Sequence, residues 1–130
     1  MGRIELTGMK KALFFVLALL LTGQLIAQTG TEFWLAPPEV TASHGDQPIF
    51  INVTTLGQPA VVTISQPANP AFNGGVPIVL NLAANSAQRY DLTLLKVELE
   101  TRPTNTVLNT GLRISATSNI TCYYEPSYTN

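Results

Sequence analysis

An all-β fold is predicted for this chain: an antiparallel β-sandwich-like domain preceded by a helical export leader. Three observations carry that reading. Apolar residues alternate with polar ones at period two in several short stretches. Nine prolines cut the chain into pieces, so that no piece before Asp91 is long and proline-free enough for a regular helix. The residues after the leader are rich in Thr, Val, Ile and Asn, which favour strands and turns.

The leader comes first along the chain. Lys10 and Lys11 precede an unbroken apolar run, residues 12–21, followed by Thr22-Gly23-Gln24-Leu25-Ile26-Ala27. A positive segment, an apolar segment and a short polar exit form the layout of a secretory signal peptide. The run is shorter than the roughly 20 apolar residues a permanent span needs, so no membrane span is expected after cleavage. Met1 and Met9 are alternative starts. Cleavage between Ala27 and Gln28 divides the chain into a leader, 1–27, and a single β domain, 28–130. The product is expected outside the cytoplasm, at the outer cell surface or beyond it, with the periplasm as the alternative.

Six alternating stretches follow. Ile49, Ile51 and Val53 share a face, as do Val62 and Ile64; Ile78, Leu80 and Leu82; Tyr90, Leu92 and Leu94; Leu112, Ile114 and Ala116; and Ile120, Cys122 and Tyr124. Each set can bury one row and wet the other, the pattern of antiparallel sheets with one solvated face. Leu56-Gly57-Gln58-Pro59 is short enough for a hairpin. Asn69 to Gly75 reads as a longer loop, Ala84-Asn85-Ser86 as a short polar connection, and Thr117-Ser118-Asn119 as the turn joining the last two strands. Residues 94–100 break the alternation at Leu94-Leu95, and their composition favours a short helical turn over a bulged strand. A small barrel is the alternative architecture.

Charge and cysteine content narrow the functional classes. After Ala27 there are four basic and seven acidic residues, a net charge of −3, with no basic stripe to hold phosphates, so nucleic acid is not an expected partner. Cys122 is the only cysteine, which leaves no intrachain disulfide and no cysteine metal cluster; a buried small hydrophobe is its expected role. His44-Gly45-Asp46 offers two ligand-type side chains in what reads as a polar loop, short of the three or four a zinc site wants. Glu98 and Glu100 read as solvated charges rather than a catalytic pair. No nucleophile elbow or phosphate loop is present. No catalytic residue, metal or cofactor is therefore expected, and the chain does not read as an enzyme.

The aromatic residues are the candidates for binding. Trp34, Tyr123 and Tyr128 offer large rigid area with a polar tip, suited to a sugar ring or a protein contact. For Trp34 a place in the core is the preferred reading; Tyr123 falls on the outward parity. Asn52-Val53-Thr54 and Asn119-Ile120-Thr121 match the N-glycosylation acceptor pattern, which has no meaning in a bacterial source.

Two segments carry a resemblance. Residues 28–36 (QTGTEFWLA) and 106–125 (TVLNTGLRISATSNITCYYE) are similar to the N-terminal domain of IgGFc-binding-protein-like surface proteins of Bacteroidota. In that family a "GT(D/E)FW" start follows the leader directly, and an "N-x-G-(I/L)-x-I-x-(S/A)-x-x-x-I-(T/S)-x-Y" segment comes later. The resemblance implies an exported, β-rich, non-catalytic binding or adhesion module, of the kind found in large proteins of the type IX secretion and gliding-motility-associated group. Its partner would be a protein or a glycan. It also implies that 28–130 is the front part of a larger domain, with a sheet edge left open and self-association through that edge. A carbohydrate-binding module, or a fragment of a polysaccharide-degrading enzyme, is the alternative.

Overall fold

The computed structural model describes residues 28–38, 49–103 and 105–127. The leader with Ala27, the His44-Gly45-Asp46 segment and Tyr128 lie outside the described residues. Gln28 is the first of them.

The domain is all-β, and every strand pair is antiparallel. Six strands form one hydrogen-bonded sheet: β1 (Gly30–Leu35), β2 (Ile49–Thr55), β3 (Ala60–Ser65), β4 (Ile78–Leu82), β5 (Ala87–Asp91) and β6 (Leu112–Pro126). The predicted helical turn is present as a 3-10 turn, Thr93–Leu95, running into a one-turn helix α1, Lys96–Leu99.

Strand β6 organises the rest. Its first half pairs with β1 on one edge and β3 on the other: Ile114 sits opposite both Phe33 and Ile64. Its second half pairs with β2, and Ile120 sits opposite both Gly30 and Thr55. Since β1 follows one edge of β6 past both points, β2 and β3 lie end to end along the other. The next rank is β5 beside β2 and β4 beside β3.

Two expectations are corrected here. Leu56–Pro59 is not a hairpin turn, because β2 and β3 run in the same direction and do not pair with each other. Thr117-Ser118-Asn119 does not join two strands but lies inside the 15-residue β6. Between Gly30/Ile120 and Glu32/Ser115 the register shifts, with β1 advancing two residues while β6 advances five. Irregularities of this kind bend a strand and raise its twist, which lets one strand pass from one layer of a sandwich to the other.

The sheet thus folds across its middle. One layer is β1, the first half of β6, β3 and β4; the other is the second half of β6, β2 and β5. The inner faces meet in one core. Ile49, Ile51 and Val53 from β2 join Val62 and Ile64 from β3, Leu80 from β4, and Ile114 and Ile120 from β6, all essentially inaccessible. Each buried Ile or Leu contributes about 1.5–3 kcal/mol from removal of apolar surface, and the layers are held by this term in the absence of any disulfide. Phe72, from the loop after β3, is buried in the same core.

Backbone groups that the bend takes out of the ladder find other partners. The Thr55 Oγ1 hydroxyl, on a side chain 2% exposed, donates to the Ala83 carbonyl at 2.6 Å and accepts from the Ser86 N–H at 2.9 Å. Two backbone bonds bracket it, Thr55 N–H to Ser86 O and Asn85 N–H to Leu56 O, both 2.8 Å. On the β6 side the Val61 N–H donates to Thr117 Oγ1 at 2.9 Å. The break after β2 is therefore locked to the break after β4.

Side chains from three loops fix the far end. Gln66, 3% exposed, donates to the carbonyls of Glu98 and Thr110 at 2.7 and 3.0 Å and accepts from Asn69. Asn73 and Gly74 adopt left-handed φ of 50° and 68°, a conformation cheap for glycine and tolerated by asparagine. At the start of β2, the Ile49 N–H donates to Thr93 Oγ1 at 2.9 Å, and Thr93 in turn donates to Asp91.

Replacing the buried hydroxyl should unlock the bend. Thr55→Val is expected to lower the unfolding free energy by about 1–3 kcal/mol, since it removes a hydrogen bond to the Ala83 carbonyl and one from the Ser86 N–H at a half-buried corner. Thr54→Val, on the outward side of the same strand, should stay within about 0.5 kcal/mol. Urea unfolding of the two variants checks the contrast.

Candidate functional site

The two outer faces of the folded sheet carry the outward side chains. On the layer containing β2, three strands set out a small grid. Phe50, Asn52 and Thr54 lie in register with Glu125, Tyr123 and Thr121 of β6 on one side, and with Asp91, Arg89 and Ala87 of β5 on the other. Tyr123 is 57% exposed, as its parity predicted. Glu125 accepts from Asn52 Nδ2 at 2.6 Å and from Arg89 Nη2 at 2.8 Å, and the Arg89 guanidinium lies 3.5 Å from the Phe50 ring centre. Arg89 is thus held between a ring and a carboxylate.

The part of the sheet around β1 repeats the chemistry with other residues. Alternation along β1 turns Phe33 and Leu35 inward and Glu32 and Trp34 outward. Trp34 is 58% exposed, so the preferred core position is corrected: Phe33 fills that role. The indole Nε1 donates to Glu32 Oε1 at 2.9 Å, and Arg113 Nε donates to Glu32 Oε2 at 3.0 Å. The guanidinium stands 6.0 Å from the indole ring. The indole hydrogen bond, with the Arg113 hydrogen bonds second, holds the Glu32 carboxyl below its ordinary range. Ser115 and Thr63 continue the row from Glu32, and Ser65 the row from Trp34. The strand β1 is not among the six alternating stretches, although the Phe33/Leu35 spacing is the signal that marks it.

The two acids first read as solvated are structural. Glu98 is half-buried and accepts the Asn73 N–H at 2.8 Å through Oε2. Glu100 is 5% exposed, with Arg102 at 2.8 Å and Lys96 at 3.5 Å. Asn73 belongs to the loop that carries the buried Phe72.

Cys122 is half-buried opposite Val53, and burial pushes its thiol up to about 11. A thiol so raised is protonated at neutral pH and is a poor nucleophile. Among the acceptor-pattern asparagines, Asn119 is exposed and Asn52 is engaged by Glu125. The described residues contain no cluster of three or more His, Cys, Asp or Glu side chains, and none of their helices is long and apolar enough to cross a membrane. Two of the three candidate binding residues therefore stand exposed on the outward side of the sheet, Trp34 beside Arg113 in the first half of β6 and Tyr123 in its second half, and the third, Tyr128, lies outside the described residues.

No family model, curated protein or solved structure matches this chain.

Two measurements probe these environments. The Glu32 carboxyl should titrate below an ordinary glutamate by NMR, and Arg113→Ala or Trp34→Phe should move it up. With its folded value depressed, Glu32 adds stability above the ordinary glutamate range and loses it as pH falls through the lowered value. Cys122 should react with a thiol reagent at pH 8 at a rate reflecting about a hundredfold less thiolate than an ordinary thiol carries. It should react at the ordinary rate once unfolded in urea.

Proposed function

We propose that the chain is an exported, non-catalytic binding or adhesion module of the cell surface or exterior, which recognises its partner with the outer faces of a folded sheet. The observation that carries this reading is Tyr123. It is an aromatic more than half exposed in the middle row of a three-strand face, framed by an amide, a guanidinium and a carboxylate that hold one another in place. A rigid amphipathic ring on a stiff scaffold loses little entropy on binding, which is the property of an interface anchor.

The export leader supports a place outside the cytoplasm, and so does the resemblance of residues 28–36 and 106–125 to the IgGFc-binding-protein-like domains. The acids that catalysis would recruit first, Glu98 and Glu100, are committed to holding loops. A net charge of −3 after Ala27 disfavours nucleic acid as partner. A carbohydrate-binding module is the second reading, favoured by the serine and threonine hydroxyls near Trp34 and the threonine hydroxyls and Asn52 amide near Tyr123.

The full chain expressed with its leader should be recovered outside the cytoplasm, cut near Ala27. Screened against immobilised glycans and extracellular proteins, it should find a ligand whose affinity Tyr123→Ala lowers at least about tenfold with unchanged melting temperature. A leader-bearing cytosolic product, or binding indifferent to Tyr123→Ala, contradicts the proposal.

A further inference from the structure

Residues 47–88, which supply β2, β3 and β4, contain no charged side chain over 42 positions. The edges of the sheet differ accordingly. The β5 edge carries Arg89 and Asp91, and the β1 edge carries Glu32 and an irregular register. Charges and irregularities of these kinds keep an edge from pairing with another chain. Strand β4 (IVLNL) has neither: it is uncharged, free of internal proline, and its register against β3 runs without a shift. Val79 is 53% exposed, and Pro77, Asn81 and Ala83 are exposed as well.

The hydrogen-bond directions of β4 follow from those of its neighbours. The Val61 N–H points toward β6, because it donates to Thr117 Oγ1. Consecutive residues of a strand send their N–H and C=O to opposite sides. Ala60, Val62 and Ile64 therefore send theirs toward β4, onto their partners Leu82, Leu80 and Ile78. That leaves Val79 and Asn81 with both backbone groups directed away from β3. Among the described residues these four groups meet no partner. The positions just beyond them are closed. Pro77 has no N–H, and the Ala83 carbonyl accepts from Thr55 Oγ1 at 2.6 Å and Ser86 Oγ at 2.7 Å.

We propose that β4 pairs antiparallel with β4 of a second copy of this chain, about a two-fold axis at Leu80. Val79 then exchanges both backbone hydrogen bonds with the partner's Asn81, and Asn81 with the partner's Val79, so all four groups are used. An axis at Val79 sets Asn81 against the partner's Pro77, and an axis at Asn81 sets Val79 against the occupied carbonyl of the partner's Ala83; each loses bonds. A two-fold interface brings one surface against itself. On a domain with a net charge of −3 after Ala27, the uncharged edge is where self-contact brings no like charges together. Pairing through β5 would set Arg89 against the partner's Asp91, but Arg89 is already bound to Glu125 and Asp91 to Thr93. The β4 pairing is independent of what the outward aromatics bind.

An edge pair of five-residue strands is smaller than a standard interface of about 1,600 Å². A weak dimer is therefore expected, with a dissociation constant of about 10 µM to 1 mM. Amide exchange by NMR reads it residue by residue, on the full chain recovered after expression with its leader, at about 20 µM and about 1 mM. The Val79 and Asn81 amides should exchange about two- to sixfold more slowly at the higher concentration, because exchange there proceeds through the monomer. The Leu80 and Leu82 amides, bonded to β3, should be slow at both. Val79→Lys, at an exposed position, should remove the concentration dependence, even though its positive charge lowers the net repulsion between copies. Asn119→Lys, which adds the same charge at an exposed position of β6, should keep it.

Exchange at Val79 and Asn81 that is equally fast at both concentrations overturns the pairing. So does exchange that is slow at both, which would mean that the edge is covered within one chain. Slowing at Arg89 and Asp91 instead, or slowing that survives Val79→Lys, puts the contact elsewhere and overturns it as well. In wild-type protein mixed from isotope-labelled and unlabelled copies, the Leu80 Hα should contact that of the partner's Leu80; its absence at about 1 mM overturns the register.

Discussion

A single buried hydroxyl, that of Thr55, sits where one sheet becomes two layers. A sheet can fold over its own core only if strands break in the middle, and each break removes backbone groups from the ladder. Buried N–H and C=O groups left unpaired cost about 1–3 kcal/mol each, enough to matter in a domain whose total stability is about 5–15 kcal/mol. Thr55 answers that cost by donating to Ala83 O and accepting from Ser86 N–H. Thr117 does the same for Val61 on the other side of the bend. The breaks in the β2–β3 and β4–β5 ranks and the irregular middle of β6 then fall together at one corner.

The consequences reach the surface. Because the core lies on the inner side of the sheet, every outward row faces solvent. Strand alternation alone then decides which aromatics are presented: Phe33 goes in and Trp34 out, Tyr124 packs against the core and Tyr123 stands out. Exposing a large ring costs hydrophobic stabilisation that a core position would supply. Here each exposed ring stands on the same face as an arginine–carboxylate pair, Trp34 with Arg113 and Glu32, Tyr123 with Arg89 and Glu125.

Much of the architecture was legible from period two. Four of the six strands stand where alternation put them; the 90–94 stretch holds β5 only as far as Asp91, with Leu94 exposed in the 3-10 turn, and the helical turn at 93–99 follows from the broken parity at Leu94-Leu95. The connections were less legible. Buried positions are odd in β2 and even in β3, a switch visible in the sequence, but a parity switch across Leu56–Pro59 fits a hairpin as well as a bend. Only the partner strand β6 distinguishes the two, and long-range pairing leaves no local mark. Thr117-Ser118-Asn119 misled for the opposite reason: small polar residues serve an irregular strand as readily as a turn. Glu100 read as solvated although its partners, Lys96 four residues before it and Arg102 two after, stand close in the sequence. Trp34 was misplaced because a lone tryptophan is usually core, whereas its neighbour Phe33 holds the inward parity.

Cross-strand Hα–Hα contacts measured by NMR test the folded sheet most directly. With β2 and β3 end to end along β6, contacts are expected between antiparallel partners such as Val53 and Cys122, and Val62 and Ala116, and none between β2 and β3. Contacts linking β2 to β3 as the two arms of a hairpin, with those to β6 missing from either half, would contradict it.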